Sequence, residues 1–339
     1  MLDRGSAQLD RADYASAATT FTQVIEIDPR CADAYYSRGL AAAGRRQHAL
    51  AIQDFSEALR LSPEMQKALC NRGCEYLQQG AIPQALTDLT EAIRLDPMDS
   101  IAYVNRSAAY SAQGNYDTAI ADASDAIRLR PINPRAFNNR SFARLRNGDS
   151  DGALADAEEA VRLGPEDAEG YFNRSLAFLA TGNSAQAIAS ATRALEIRPD
   201  VVDVIMARAA AFEEAGKIDE ALRDWRRVVE LDAKLADGYL KLAFLEHRIG
   251  NGDDAITDFT KAIARDPALR LAYVGRGNVY CEKGDYDRAI TDYSTCIRLN
   301  ANERDATLFI AYQARALAYA KKGLQAESEA DRTEATKLE

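Results

Sequence analysis

The sequence predicts an all-α repeat solenoid, and three observations carry the prediction. The segments AYVNRSAAY from Ala102, AFNNRSFAR from Ala136 and GYFNRSLAF from Gly170 are near-copies of one another. Their aromatics Tyr103, Phe137 and Tyr171 stand 34 residues apart, as do Pro97, Pro131, Pro165 and Pro199. Between the prolines, apolar residues recur three and four apart, the period of an amphipathic helix. A fixed period of this size marks an array whose members bury their apolar faces only by stacking on neighbours. The 339 residues therefore read as one elongated domain without a central core.

Each element of a repeat has a local cause. In Ser100 to Arg130, the run Ile101–Ala112 predicts a first helix, and Tyr116, Ala119, Ile120, Ala123, Ala126, Ile127 and Leu129 predict a second. Gly114 supplies the left-handed residue that closes the first helix, and Asp117 places an anion in the first turn of the second. Pro131 ends the second helix, because proline disfavours helical geometry in the residue before it. The small residues Ser107, Ala119 and Ala126 recur as Gly73, Ala85 and Ala92 before and as Ser141, Ala153 and Ala160 after. They let the two helix axes approach, while Tyr103 and Tyr110 fill the gaps between repeats.

Taken together, the aromatic, the small residue four later, the next aromatic, Gly114, Tyr116, Ala119, Ala126 and Pro131 resemble the tetratricopeptide repeat family. The resemblance recurs along nearly the whole chain, in ten units beginning at Met1, Ala32, Gln66, Ser100, Pro134, Ala168, Val202, Ala236, Arg270 and about Phe309. It implies a right-handed superhelix of antiparallel helix pairs. Departures are expected to have consequences. Arg144 and Glu246 replace the aromatics of Tyr76, Tyr110, Phe178, Phe212, Tyr280 and Tyr319, which predicts looser packing there. Gly44 comes two residues early, and Ala233 and Ala301 replace the helix-ending proline, which predicts smoother joints. Tyr273 to Tyr312 spans 39 residues, so five extra residues fall around Arg304–Leu308. The last helix, about 324–339, carries Ser328 and Arg332 where inner repeats are apolar, and reads as a polar cap.

Charge recurs with the same period. Arg4, Arg38, Arg72, Arg106, Arg140, Arg174, Arg208, Arg276 and Arg315 follow the first-helix aromatic or its equivalent by three, where many repeats of the resembled family have leucine. Asp54, Asp88, Asp122, Asp156, Asp224, Asp258, Asp292 and Asp331 hold one position of the second helix, 16 residues after the arginine. An ion pair within each repeat is the expectation, against independent solvated charges.

The candidate binding residues lie on the first helices. Asn71, Asn105, Asn139 and Asn173 follow the aromatic by two, on the side that lines the concave groove in the resembled family. An amide both donates and accepts, so a ladder of them, with Asn138 beside it, can pair with an extended peptide backbone. The competing reading is that the amides bond to neighbouring helix turns and set the stacking angle. Phe142, Phe172 and Leu176 contribute an apolar floor with Cys70, Cys74, Val104, Ala108 and Met206. Arg135 and Arg146 add positive charge, and Glu169, Asp203, Glu213, Glu214 and Asp237 negative charge, so a partner with apolar residues and a basic end suits the track. These same residues also serve as packing between repeats on the plainer reading. Clamping of a terminal carboxylate is not expected, because Arg135 and Asn139 lack a matching lysine set.

Chemistry finds no footing in the sequence. The two histidines, His48 and His247, are about six repeats apart, and no catalytic triad, three-ligand metal site or Gly-rich phosphate loop can be drawn. Cys70 and Cys74 share a helical face without a third ligand, and Trp225 occupies a packing position. No enzyme activity, cofactor or metal is expected. A net charge of −10 argues against nucleic acid as partner. Five scattered cysteines with no Cys-x-x-Cys pair point to a reducing compartment. MLDRGSAQLDRADYA has no basic start before an apolar run, and no stretch approaches 18 apolar residues, so a cytoplasmic chain without membrane insertion is expected. The expected function is a scaffold holding a peptide segment of another protein, with a regulatory subunit or excised domain controlling a neighbouring enzyme as the alternative. A monomer is expected, with self-association left open.

Overall fold

The computed structural model describes residues 1–299 and 306–338, and among them forms twenty helices and no strand. Two compact bodies divide the chain, Met1–Asn183 and Ser184–Glu339. The first holds α1 (Leu2–Asp10), α2 (Tyr14–Ile27), α3 (Ala32–Gly44), α4 (His48–Leu61), α5 (Gln66–Gln78), α6 (Ile82–Leu95), α7 (Ser100–Gln113), α8 (Tyr116–Leu129), α9 (Pro134–Arg146), α10 (Ser150–Leu163) and α11 (Ala168–Ala180). The second holds α12 (Ser184–Ile197), α13 (Val202–Glu214), α14 (Ile218–Leu231), α15 (Ala236–Arg248), α16 (Gly252–Arg265), α17 (Arg270–Glu282), α18 (Tyr286–Leu299), α19 (Ala306–Lys322) and α20 (Gln325–Thr336). In the first body α7 packs on its own second helix α8, on the second helix before it, α6, and on the next first helix, α9, and in the second body α17 packs likewise on α18, α16 and α19.

Size matching lets the two helices of a repeat approach. Gly5, Gly39, Gly73 and Gly277 face Phe21, Phe55, Leu89 and Tyr293, whereas alanine, Ala209 or Ala243, stands opposite Trp225 and Phe259. A Cβ on Gly39 would stand 2.7 Å from the Phe55 ring, and one on Gly277 2.6 Å from Tyr293. Where the second helix carries Ala123 or Ala157, the facing residue is serine. Ser107 Oγ then donates to the Ala119 carbonyl at 2.8 Å and Ser141 Oγ to that of Ala153 at 2.7 Å.

The arginine and aspartate series pair as expected. Arg38–Asp54, Arg72–Asp88, Arg106–Asp122, Arg140–Asp156, Arg208–Asp224, Arg276–Asp292 and Arg315–Asp331 each form two parallel hydrogen bonds from Nε and Nη2, as in Arg106, at 2.7 and 2.8 Å. Asp258 departs, because residue 242 is a leucine, and it accepts from Lys261 at 2.7 Å instead. The Arg106 guanidinium also lies 5.8 Å from both the Tyr103 and Tyr110 rings. The carboxylate holds Arg38, Arg72, Arg106, Arg276 and Arg315 above the ordinary guanidinium pKa.

The third donor reaches backwards. Nη1 of Arg38, Arg72, Arg106, Arg140 and Arg276 donates to Thr22, Ser56, Thr90, Ser124 and Thr260, each 16 residues earlier on the preceding second helix, at 2.9 to 3.4 Å. Arg315 reaches Ser294, 21 residues back, at 2.9 Å, so the contact survives the five-residue insertion. One planar side chain thus ties its own helix pair together and ties the pair to its predecessor.

Several local expectations need correction. The positions of Arg144 and Glu246 are not loosely packed. Arg144 donates to Asp156 at 2.8 Å, and Glu246, 2% exposed, accepts from Arg226 at 2.5 Å and Asn251 at 2.8 Å. Gly44 is not an early turn. A Cβ there would meet the Tyr14 ring at 2.6 Å, and the left-handed residue is Arg46 with φ 57°. Ala233 does not smooth its joint, because α14 still ends at Leu231 and the Asp232 carboxylate accepts from Lys234 N at 3.0 Å. Ala301, Arg304 and Glu339 lie outside the described residues. At α20, Ser328, Asp331 and Ala335 are buried and Arg332 is exposed.

Candidate interaction site on the first helices

The asparagines point at their neighbours. Asn71 donates to the Tyr36 hydroxyl at 3.1 Å and the Lys67 carbonyl at 2.9 Å. Asn105 approaches Cys70 Sγ at 3.7 Å, Asn139 donates to the Val104 carbonyl at 2.8 Å, and Asn173 to the Asn138 carbonyl at 3.3 Å. Each of these four partners sits 35 residues earlier, on the preceding first helix, apart from the Lys67 turn within α5. Asn105 and Asn173 are each 4% exposed, whereas Asn71 and Asn139 are half-buried. Asn138 is buried, donates to Asp167 at 3.1 Å, and leaves its Oδ1 without a partner.

Six of the groove residues named from the sequence are brought together, Ala108 and Glu169 among them. Asn139, Phe142, Phe172 and Asn173 line a depression of about 390 Å³ with Ala108, Ser111, Ala112 and Glu169. Phe142 remains 37% exposed, and Phe172 is half-buried. The depression runs from the end of α7 past the middle of α9 to the start of α11. Asn71, Asn105, Asn138, Arg135, Arg146 and Leu176 lie outside that lining. Arg135 is exposed, and Arg146 donates to the Tyr116 hydroxyl at 3.3 Å and lies over its ring. Ser111 and Ala112 were not singled out by the sequence, although they lie three and four residues after Ala108 on one helix face. The Ser111 hydroxyl is buried at the wall without a partner. Asn71 belongs to a second depression, with Tyr36, Gln66, Lys67, Cys70, Asp96, Asp99 and Ile101.

The remaining polar groups are engaged in packing. His48 Nδ1 lies 2.6 Å from Glu75 Oε2, and His247 Nε2 lies 2.8 Å from Glu282. Trp225 is 3% exposed and donates to Glu213 at 2.7 Å, as its packing position implies. Burial, with the Asp99 charge behind it, pushes the Cys70 thiol up to about 12, and burial raises Cys74 as well. Neither is a thiolate nucleophile at neutral pH. Among the described residues, no group of three or more His, Cys, Asp and Glu could hold a metal ion, and no helix is long and apolar enough to cross a membrane.

Comparison with known proteins agrees with the fold. The tetratricopeptide repeat family model matches residues 2–65, 70–136, 143–201, 206–269 and 240–303. Among solved structures, PilF of Pseudomonas aeruginosa is similar at 19% identity and TM-score 0.55, over 64% of this chain and 97% of that one. A tetratricopeptide repeat protein of Parabacteroides merdae is similar at 19% identity and TM-score 0.52, over 78% and 98%. Both likenesses are of fold. YrrB, described as a protein with an unusual peptide-binding site, matches at 22% identity and TM-score 0.46, over 57% and 97%. Curated protein sequences yield no match.

Proposed function

The chain belongs to the tetratricopeptide repeat family, whose members serve as protein-interaction scaffolds, and on that premise we propose that the face shared by α7, α9 and α11 holds an extended segment of another protein. The observation that carries the reading is the depression in which Phe142 and Phe172 stay accessible beside Asn139. Apolar side chains cost free energy when left in water, about 25 cal/mol per Å². Contiguous ones on a soluble surface mark interaction sites. Asn139 donates one Nδ2 hydrogen to the Val104 carbonyl, which leaves its Oδ1 to accept a backbone N–H of the segment and its second N–H to donate. In this reading the ladder narrows to Asn139, while Asn105 and Asn173 hold successive first helices in register.

The test is selection from a random displayed-peptide library on the intact chain and on Phe142→Ala. The side chain is partly exposed, so the melt of the variant should stay within about 2 °C. Enrichment on the parent that is lost on the variant supports the reading. Identical enrichment on both proteins removes the segment from this face.

A further inference from the structure

Helix α9 differs from every other first helix of its body. Its sequence, PRAFNNRSFARLR, carries four arginines and no acidic residue, in a chain whose net charge is −10. Two of the four are spent on one carboxylate, because Arg140 and Arg144 both donate to Asp156, at 2.8 Å each. The other two, Arg135 and Arg146, are exposed, Arg146 with its guanidinium over the Tyr116 ring, and among the described residues neither forms an ion pair with a carboxylate.

Their spacing matters. Arg135, Asn139, Phe142 and Arg146 stand at i, i+4, i+7 and i+11, which is three helical turns and one face. Arg135 and Arg146 are therefore about 16 Å apart along the helix, with the amide and the exposed ring between them. The matching ends of the flanking first helices are not basic at both places: α7 has Ile101 and Ala112, and α11 has Glu169 and Ala180. Glu169 lines the depression on the α11 side and has interactions of its own, so it disfavours a carboxylate there and leaves the α9 side as the place for one.

Resting on the proposed segment-binding reading, we infer that α9 selects an acidic segment of another protein, in place of the basic end expected from the sequence, because Glu169 alone of the acidic residues named there lines the depression. The segment places an aromatic or leucine-type anchor at Phe142 and a carboxylate at each of Arg135 and Arg146. An extended chain rises about 3.3 Å per residue, so carboxylates about five residues apart span the two guanidinium groups. Each contact is a charge-assisted bond at the rim of an apolar depression. It sets orientation and salt dependence, and the ring provides the apolar contact.

The test uses the same displayed-peptide library on the intact chain and on Arg135→Glu/Arg146→Glu, followed by fluorescence anisotropy with the blocked peptide Ser-Glu-Ser-Ala-Phe-Ser-Glu-Ser and its Gln-for-Glu and Lys-for-Glu forms. The parent should enrich peptides with Asp or Glu on both sides of an apolar residue. The double variant should turn that preference toward Lys and Arg. The acidic peptide should bind at least about tenfold more tightly than the Gln form, and raising the salt should erase the difference. Enrichment of neutral or basic peptides on the parent, lost on Phe142→Ala, overturns the acidic preference and leaves the segment-binding reading standing. Enrichment indifferent to Phe142 overturns both. Sedimentation showing a dimer that Arg135→Glu/Arg146→Glu dissolves makes the occupant a second copy of this chain, which also overturns the inference.

Discussion

Arg106 shows how one side chain organises the array. Its fork meets Asp122, its third donor reaches Thr90, and its plane lies between Tyr103 and Tyr110. Only 16% of the arginine side chain and 6% of the aspartate side chain remain exposed. Breaking such a pair strands a charge, whereas replacing both partners with apolar groups restores a neutral interior. Asp122→Ala should therefore cost about 3 kcal/mol in denaturant unfolding, and Arg106→Met/Asp122→Leu should cost less than that single change. A single change costing under about 0.5 kcal/mol would place the pair among ordinary surface charges. The arginine and aspartate positions were legible because both partners recur with the repeat. The hydroxyl was not, since serine and threonine alternate there and Thr22, Ser56, Ser124 and Thr260 also bond their own helix, as Ser124 does to the Ile120 carbonyl. The asparagine partner was hidden for another reason. It lies 35 residues back on a helix whose apposition only the stacked structure supplies.

Helix ends carry the element-scale lessons. Gly114, with φ 83°, closes α7 as its sequence predicts, but the same left-handed place after α3 is taken by Arg46, with φ 57°. A side chain in that region costs about 1 kcal/mol relative to glycine. Arg46 is exposed, so Arg46→Gly should raise stability by about that amount, and Gly114→Ala should lower it by a similar amount. A loss on Arg46→Gly would show that the guanidinium makes a contact worth more than the strain. The ends of α4, α6 and α10 carry Glu57–Arg60, Glu91–Arg94 and Glu159–Arg162 pairs, whose hydrogen bonds hold each carboxylate below its ordinary pKa. A depressed folded pKa stabilises above the unfolded value of 4.5 and loses that contribution as pH falls through the folded one. Glu57→Gln/Glu91→Gln/Glu159→Gln should therefore flatten part of the fall in melting temperature between about pH 5 and pH 3. An unchanged acid profile would assign the fall to other carboxylates. Proline proved a marker of helix ends rather than their cause, since Asp232 ends α14 without one.

At the scale of the molecule, the regularity of the stack is what made its fold readable. Each repeat must bury the same apolar face against the same neighbours, so the pattern is written many times and single departures stand out. The site is readable only in part for the opposite reason. Phe142 and Phe172 repeat nowhere as a pair, and period alone cannot separate an exposed ring from a packed one. Phe137 and Phe142 are both first-helix aromatics of α9, yet one is buried and the other open to solvent. The proposed partner segment lies along the first-helix face of α7, α9 and α11. Photo-crosslinking in the native host, with benzoylphenylalanine at Phe142 or at Ala121 on the exposed side of α8, tests it most directly. The expected result is a covalent adduct from position 142 alone, mapping to an apolar segment flanked by acidic residues. Adducts from position 121 alone, or equally from both, would contradict it.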